Sequence, residues 1–178
     1  MPPRARPILL LASLAFPVAI AGCGYHQAGA ASHLPPSVQT LAVPAFTTRV
    51  QSFGTETAFT EAVIRELNTR TRYRLENTET PAADALLTGS ILSETAAPLT
   101  YDSLSGQTSS YLLTITAKVV LTDQHTHRTL YENDALTYRE QYQSTTDLNT
   151  YIQEDPAAVR RIARNFAQTV VSEMLESF

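Results

Sequence analysis

The segment YLLTITAKVVLT, residues 111–122, constrains the fold more than any other part of the chain. Tyr111, Leu113, Ile115, Ala117, Val119 and Leu121 fall on one side of a pleated strand. Leu112, Thr114, Thr116, Lys118, Val120 and Thr122 fall on the other. Because successive side chains of a strand point to opposite faces, this alternation predicts a long strand with one apolar and one mostly wet face. Such a strand is not stable by itself. It needs sheet neighbours and a second layer over its apolar side.

The chain supplies both. ADALLTGSILSETAAPLTYD (83–102) reads as a second long strand, with Leu87, Gly89 and Ile91 alternating with Thr88, Ser90 and Leu92. SLSGQTSS (103–110) is a small, polar turn between the two. After DQHTHR, TLYENDALTYREQY (129–142) returns as a partner, and its alternation slips near Asn133 and Asp134, which predicts a bulge. VQTLAVPAF (38–46) has strand composition with Leu41 and Val43 on one side. Pro44 lacks a donor, so this strand lies at an edge or ends near it. YRLEN (73–77) predicts a short strand.

The covering layer is helical. In GTETAFTEAVIRELNTR (54–70), Ala58, Phe59, Ala62, Val63 and Leu67 recur on one face, with Thr55 as the expected cap. In the closing segment, Asp155 is the expected N-cap and Pro156 suits the first helical position. Val159, Ile162, Ala163, Phe166, Val170 and Met174 form a long apolar stripe. Strand, helix, long strands and helix predict an α+β fold: a two-layer sandwich with about four antiparallel or mixed strands and both helices on one face.

The N-terminus follows a different logic. Arg4 and Arg6 precede the uncharged run ILLLASLAFPVAIA, which is too short for a membrane span of about 20 residues. A positive start, a short apolar run and small residues describe a secretory leader over residues 1–22. Ile20-Ala21-Gly22-Cys23 resembles a bacterial lipobox, and Cys23 is the only cysteine. An exported protein with one cysteine has no internal disulfide to form, so Cys23 is expected to carry the lipid anchor. Residues 23–37 are then a lipidated tether and 38–178 one domain. Gly24 after the cysteine favours the outer membrane. Loss of Arg4 and Arg6 moves the formal charge from −4 to −6, which disfavours nucleic acid as a partner.

No nucleophile elbow or phosphate-binding loop is present, so no catalytic residue, metal or cofactor is expected. His125 and His127 lie two apart without further ligands at matching spacing, which fits a solvated hairpin tip better than a metal site. Glu56, Glu61, Glu173 and Glu176 read as solvated helix faces, and Asp84 as a structural cap or ion-pair partner. Arg70, Arg72 and Arg74 balance charge where the first helix ends. Arg160, Arg161 and Arg164 sit unfavourably near the start of the last helix, which calls for a partner or an acidic neighbour.

CGYH followed by LP, V-Q-T-L-A-V-P-A-F, Gly54-Thr55-Glu56 with Thr60, Ala83-Asp84-Ala85-Leu86-Leu87-Thr88-Gly89-Ser90-Ile91, and Tyr111-Leu112-Leu113-Thr114-Ile115 come in an order that resembles the LPS-assembly lipoprotein family, LptE. One departure is Thr47-Thr48-Arg49 after Phe46, where the family often carries Asn. The resemblance implies a non-enzymatic sandwich at the inner leaflet of the outer membrane. Such a protein plugs a large LptD-like β-barrel and helps insert lipopolysaccharide into the outer leaflet. It also implies lipopolysaccharide contact through basic residues, for which Lys118 and Arg128 are the candidates on charge and strand position. Ser105, Gly106, Gln107 and Thr108 are the expected barrel-lumen loop. The alternative is a periplasmic lipoprotein that activates a peptidoglycan synthase, since such proteins also begin with a tethered domain and a similar first strand.

Overall fold

The two long strands find their partners in a mixed sheet, seen in a computed structural model that describes residues 34–35, 37–50, 54–104, 106–143 and 156–176. The leader, Cys23, Ser105 and Asp155 lie outside the described residues. The elements are β1 (Thr40–Ala42), β2 (Thr47–Thr48), α1 (Thr55–Arg70), β3 (Arg74–Glu76), β4 (Ala85–Tyr101), β5 (Thr108–Asp123), β6 (Thr129–Gln143) and α2 (Pro156–Glu176). The strand order is β3-β1-β4-β5-β6, and β2 also pairs with β4, so the described sheet has six strands where about four were expected.

The short segments 38–46 and 73–77 both form strands as expected, and the strand that was not expected is β2, whose two residues carry no periodicity. β1 and β2 are parallel to β4 and follow one another along the same edge of it, at Ala85–Leu86 and then at Ser90–Ile91. Pro44 falls in the gap between them, where the chain leaves the ladder because proline has no N–H to offer. β1 is therefore an interior strand that stops before Pro44, and not an edge. β2 is built from Thr47 and Thr48, the departure from the family pattern, with the Thr47 hydroxyl 2.7 Å from that of Ser90.

β4, β5 and β6 are antiparallel. Leu113, Ile115, Ala117, Val119 and Leu121 of β5 are all buried, as the alternation predicts. The expected bulge is present: Ala117 faces Leu136 while Val119 faces Asn133, so β6 carries one extra residue at Asp134–Ala135. A second shift, between Ile91 and Ser93 of β4, was not visible in the sequence. It turns Glu94 inward, opposite Ile115.

The apolar stripes of both helices share one core with the buried face of β4 and β5, which places the two helices on the same side of the sheet. Phe166 on α2 is the hub. Its ring lies 4.7 Å from that of Phe59, 6.0 Å from Tyr138 and 6.1 Å from Phe46. Phe46 fits only because Gly89 lies beneath it: a Cβ there would come 2.2 Å from the ring. The Phe46 N–H donates to the Thr60 hydroxyl at 2.9 Å, which locks the loop after β1 onto α1. Leu34 is buried at 3% exposure in the same core, so folded structure begins ahead of residue 38 and takes in part of the segment assigned to the tether.

The helices run parallel. Groove-lining residues from both first turns are adjacent, and at the far end Arg70 Nη1 donates to Ser172 Oγ at 2.6 Å. Thr55 is not the cap of α1. Gly54 occupies that position with φ +86° and no side-chain bond, and the Thr55 hydroxyl donates instead to Glu94 Oε1 at 3.1 Å. Glu173 is not a solvated helix residue either. It accepts a 2.6 Å bond from the Tyr131 hydroxyl and fastens α2 to β6. Burial, followed by that carboxylate, pushes the Tyr131 hydroxyl well above the usual range. Arg161 fastens the other end of α2 to β6, with Nε 2.6 Å from Glu140 Oε1.

Candidate functional site: the projecting β4–β5 hairpin

The helices do not cover the sheet along its whole length. Glu94 meets the first residue of α1, and β4 continues for seven residues beyond it to Tyr101. At about 3.3 Å per residue, the strand reaches ~23 Å past the start of α1. Residues 97–101 are all exposed. β5 accompanies this extension from Thr108, and β6 flanks it as far as Gln143, with the Tyr111 and Tyr142 rings stacked at 5.5 Å.

The tip is a closed turn. Asp102 N–H donates to Gln107 O and Gly106 N–H to Asp102 O, both at 2.8 Å. The Asp102 carboxylate accepts from Leu104 N–H at 3.1 Å. Gly106 takes φ +68°, a conformation glycine adopts without steric cost. Of the expected lumen loop, Gly106 and Gln107 therefore form the turn, and Thr108 is the first residue of β5.

Sequence reasoning missed the apolar part of this tip. Leu104 is 96% exposed, Tyr101 65% and Leu99 45%, and they are the exposed large apolar side chains among the described residues. The available signal was three large apolar residues within APLTYDSLSG, a stretch otherwise too rich in turn formers to be a buried strand. Clustered on one projecting hairpin, they mark a contact surface more strongly than scattered exposed leucines do.

Lys118 and Arg128 do not converge. Lys118 lies on the open face of β5, its Nζ 2.7 Å from Glu132 Oε1 and 2.5 Å from Asp134 Oδ1. Asp134 and Glu132 push the Lys118 pKa above its ordinary value, and the lysine in turn holds Asp134 below the usual carboxylate range. Arg128 is exposed at the β5–β6 turn, where its carbonyl accepts from Asp123 N–H. Five residues of β5 separate Lys118 from Asp123, or ~17 Å at strand rise. The open face of the sheet carries hydroxyls, including a 3.0 Å contact between Thr116 and Thr137 on the other side of Lys118.

The histidine turn is structural. His125 Nε2 lies 3.1 Å from Asp84 Oδ1, while Asp84 Oδ2 accepts from the Gln39 and Thr40 N–H groups at 2.9 and 2.8 Å. The His125 bond and these two backbone donors lower the Asp84 pKa to about 2. Asp84 thus ties the start of β1 to the β5–β6 turn, the structural role read from the sequence. Among the described residues, no group of three histidine, cysteine or acidic side chains is placed to hold a metal ion. Arg70 is tied to Ser172 and, at 3.8 Å, to Glu66, whereas Arg72 and Arg74 are exposed.

A family model for lipopolysaccharide assembly, LptE, matches residues 38–174. The chain belongs to this family. The LptE assignment places the protein in lipopolysaccharide assembly and within a non-enzymatic lipoprotein family. No curated protein is significantly similar in sequence. Among solved structures, the chain resembles lipoprotein B from Nitrosomonas europaea at 13% identity and a TM-score of 0.52, covering 85% of this chain and 90% of that one. A hypothetical protein from Chlamydia trachomatis gives 12% identity and 0.49, covering 79% of this chain and all of that one. A minor lipoprotein from Acinetobacter baumannii gives 15% and 0.45, covering 80% and 95%. At these identities the likeness to the Nitrosomonas protein is one of fold.

Proposed function

We propose that this LptE protein is anchored by lipid on Cys23 to the periplasmic face of the outer membrane, after removal of residues 1–22. There it occupies the lumen of an LptD-like β-barrel and supports insertion of lipopolysaccharide into the outer leaflet. The observation that carries this reading is the hairpin. A plug needs a rigid body and a narrow part that enters the barrel, and β4–β5 projects ~23 Å beyond α1 at strand rise. The hydroxyl-rich open face of the sheet suits a wet, polar wall, and Leu99, Tyr101 and Leu104 suit an apolar contact deeper in the lumen. Lys118 and Arg128 remain the candidate lipopolysaccharide contacts. A phosphate at Lys118 would displace Glu132 and Asp134, whereas Arg128 is open to solvent.

Affinity purification of the full chain from outer membranes tests the reading. One dominant partner of β-barrel size is expected, lost when Asp102–Gln107 is replaced by a two-residue turn. Recovery of a cell-wall synthase in its place would overturn the proposal in favour of the activator alternative. Lys118→Glu with Arg128→Glu should weaken lipopolysaccharide binding and leave the barrel complex intact; unchanged binding retires both candidates. Mass spectrometry of the purified protein should show an acylated Cys23 as the first residue.

A further inference from the structure

On the solvent side of the helix pair lies a groove of about 330 Å³, formed by residues 54–65 at the start of α1 and 156–164 at the start of α2. Its floor is apolar and small, with Ala62, Val159 and Ala163 nearly closed to solvent. Its walls are cationic. Arg65 stands on α1, and Arg160 and Arg164 stand on α2, all three exposed. Glu61 is the carboxylate among the lining residues.

Arg161 and Arg70, on the same two helices, have carboxylate partners, but Arg65, Arg160 and Arg164 form no ion pair among the described residues. The first turn of α2 contains no acidic residue. Arg160 and Arg164, one turn apart, are a like-charged pair and repel each other. Because the helices are parallel, both positive ends open onto this groove. It is a cationic island on a chain of net charge −4.

The geometry narrows the occupant. From Thr57 to Arg65 is eight residues of helix, ~12 Å at 1.5 Å per residue. That is shorter than the ~15 Å of hydrocarbon in one leaflet, and the floor is closed beneath, so lipid tails do not fit. Arg160 and Arg164 stand ~6 Å apart along the axis. That matches carboxylates two residues apart on an extended chain or four apart on a helix. Guanidinium groups grip carboxylates in a two-pronged fashion, and clusters of them recognise acidic motifs.

We propose that the α1–α2 groove docks an acidic segment of a partner protein, with small side chains against Ala62 and Ala163 and carboxylates clamped between Arg65 and the Arg160–Arg164 wall. This contact lies on the helices, separate from the hairpin, and stands or falls independently of barrel plugging.

The test places a photo-crosslinking benzoylphenylalanine at Thr57 in the full chain in cells, with Thr116 on the open sheet face as control. The expected product joins position 57 to a partner peptide bearing acidic residues at those spacings. Arg160→Glu with Arg164→Glu should reduce it at least fivefold, and reversing the partner's acids should restore it. A product with lipid, with residues 144–155 of this chain, or with a peptide lacking acids overturns the proposal, as does no product at all. The melting temperature of the double variant is the second measurement. It should hold, because neither arginine has an ion pair among the described residues to lose; a fall of several degrees would make the arginines structural and overturn the proposal.

Discussion

β4 and β5 are two regions in one pair of strands. From Ala85 to Ile91, and from Leu113 to Leu121, the inward side chains are buried beneath two helices. Beyond Glu94, the same strands run on with nothing from α1 over them, and Leu99, Tyr101 and Leu104 stand exposed. Composition does not separate the regions, since both contain large apolar residues. What differs is the second layer. Burial stabilises by about 25 cal/mol per Å² of apolar surface removed from water, and that gain exists only where something covers the strand. The covered half is therefore where stability resides, and the projecting half is free to serve a contact.

This division can be broken or sharpened by substitution. The largest loss of stability is expected from Phe166→Ala, which removes the ring joining α1, α2, Phe46 and Tyr138. A cost of about 3–5 kcal/mol in urea unfolding is expected, and a value near zero would show that the hub does not hold the layers together. Gly89→Ala should cost about 1–3 kcal/mol, because its methyl group and the Phe46 ring compete for one space. Phe46→Leu in the same background should recover part of that loss. Tyr131→Phe should cost about 1.5 kcal/mol by removing a bond to the Glu173 carboxylate and loosening α2 from β6.

The Asp84 link should show itself in acid. Its pKa is lowered to about 2 from 3.8, so its contribution is fully present above about pH 4 and is lost as pH falls toward 2. Asp84→Asn should lower stability at neutral pH and flatten the acid limb. An unchanged acid limb would mean that His125 and the β1 N–H groups do not depend on that charge. The smallest stability effect belongs to the tip. Tyr101→Ser with Leu104→Ser should change unfolding by no more than about 0.5 kcal/mol, yet reduce recovery of the barrel partner. If the pair instead destabilised the domain like a core substitution, the contrast between the two regions would collapse.

Much of this fold is legible in the sequence. The alternation in β4, β5 and β6 and the stripes of both helices are periodic over ten residues or more, so their signals accumulate. The bulge at Asp134–Ala135 was readable because it interrupts such a pattern. β2 was not, since two threonines carry no period, and neither was Gly54 in place of Thr55 as the N-cap of α1. The partners of Glu173 and Glu94 were also hidden, because Tyr131 and Thr55 lie 42 and 39 residues away. At the candidate surface, the turn at 103–110 was legible from its glycine and hydroxyls. The exposure of Leu104 was not, because a leucine looks the same in sequence whether or not a helix reaches over it.

The sequence by itself determined the two layers, the long antiparallel strands, the apolar faces and the family. Each of these follows from local periodicity or from residue order. Only the tertiary structure decided where the helical layer stops, which arginines find carboxylates and which stay open above the α1–α2 groove. Those outcomes depend on distances between residues far apart in the chain, and nothing in a local pattern encodes them.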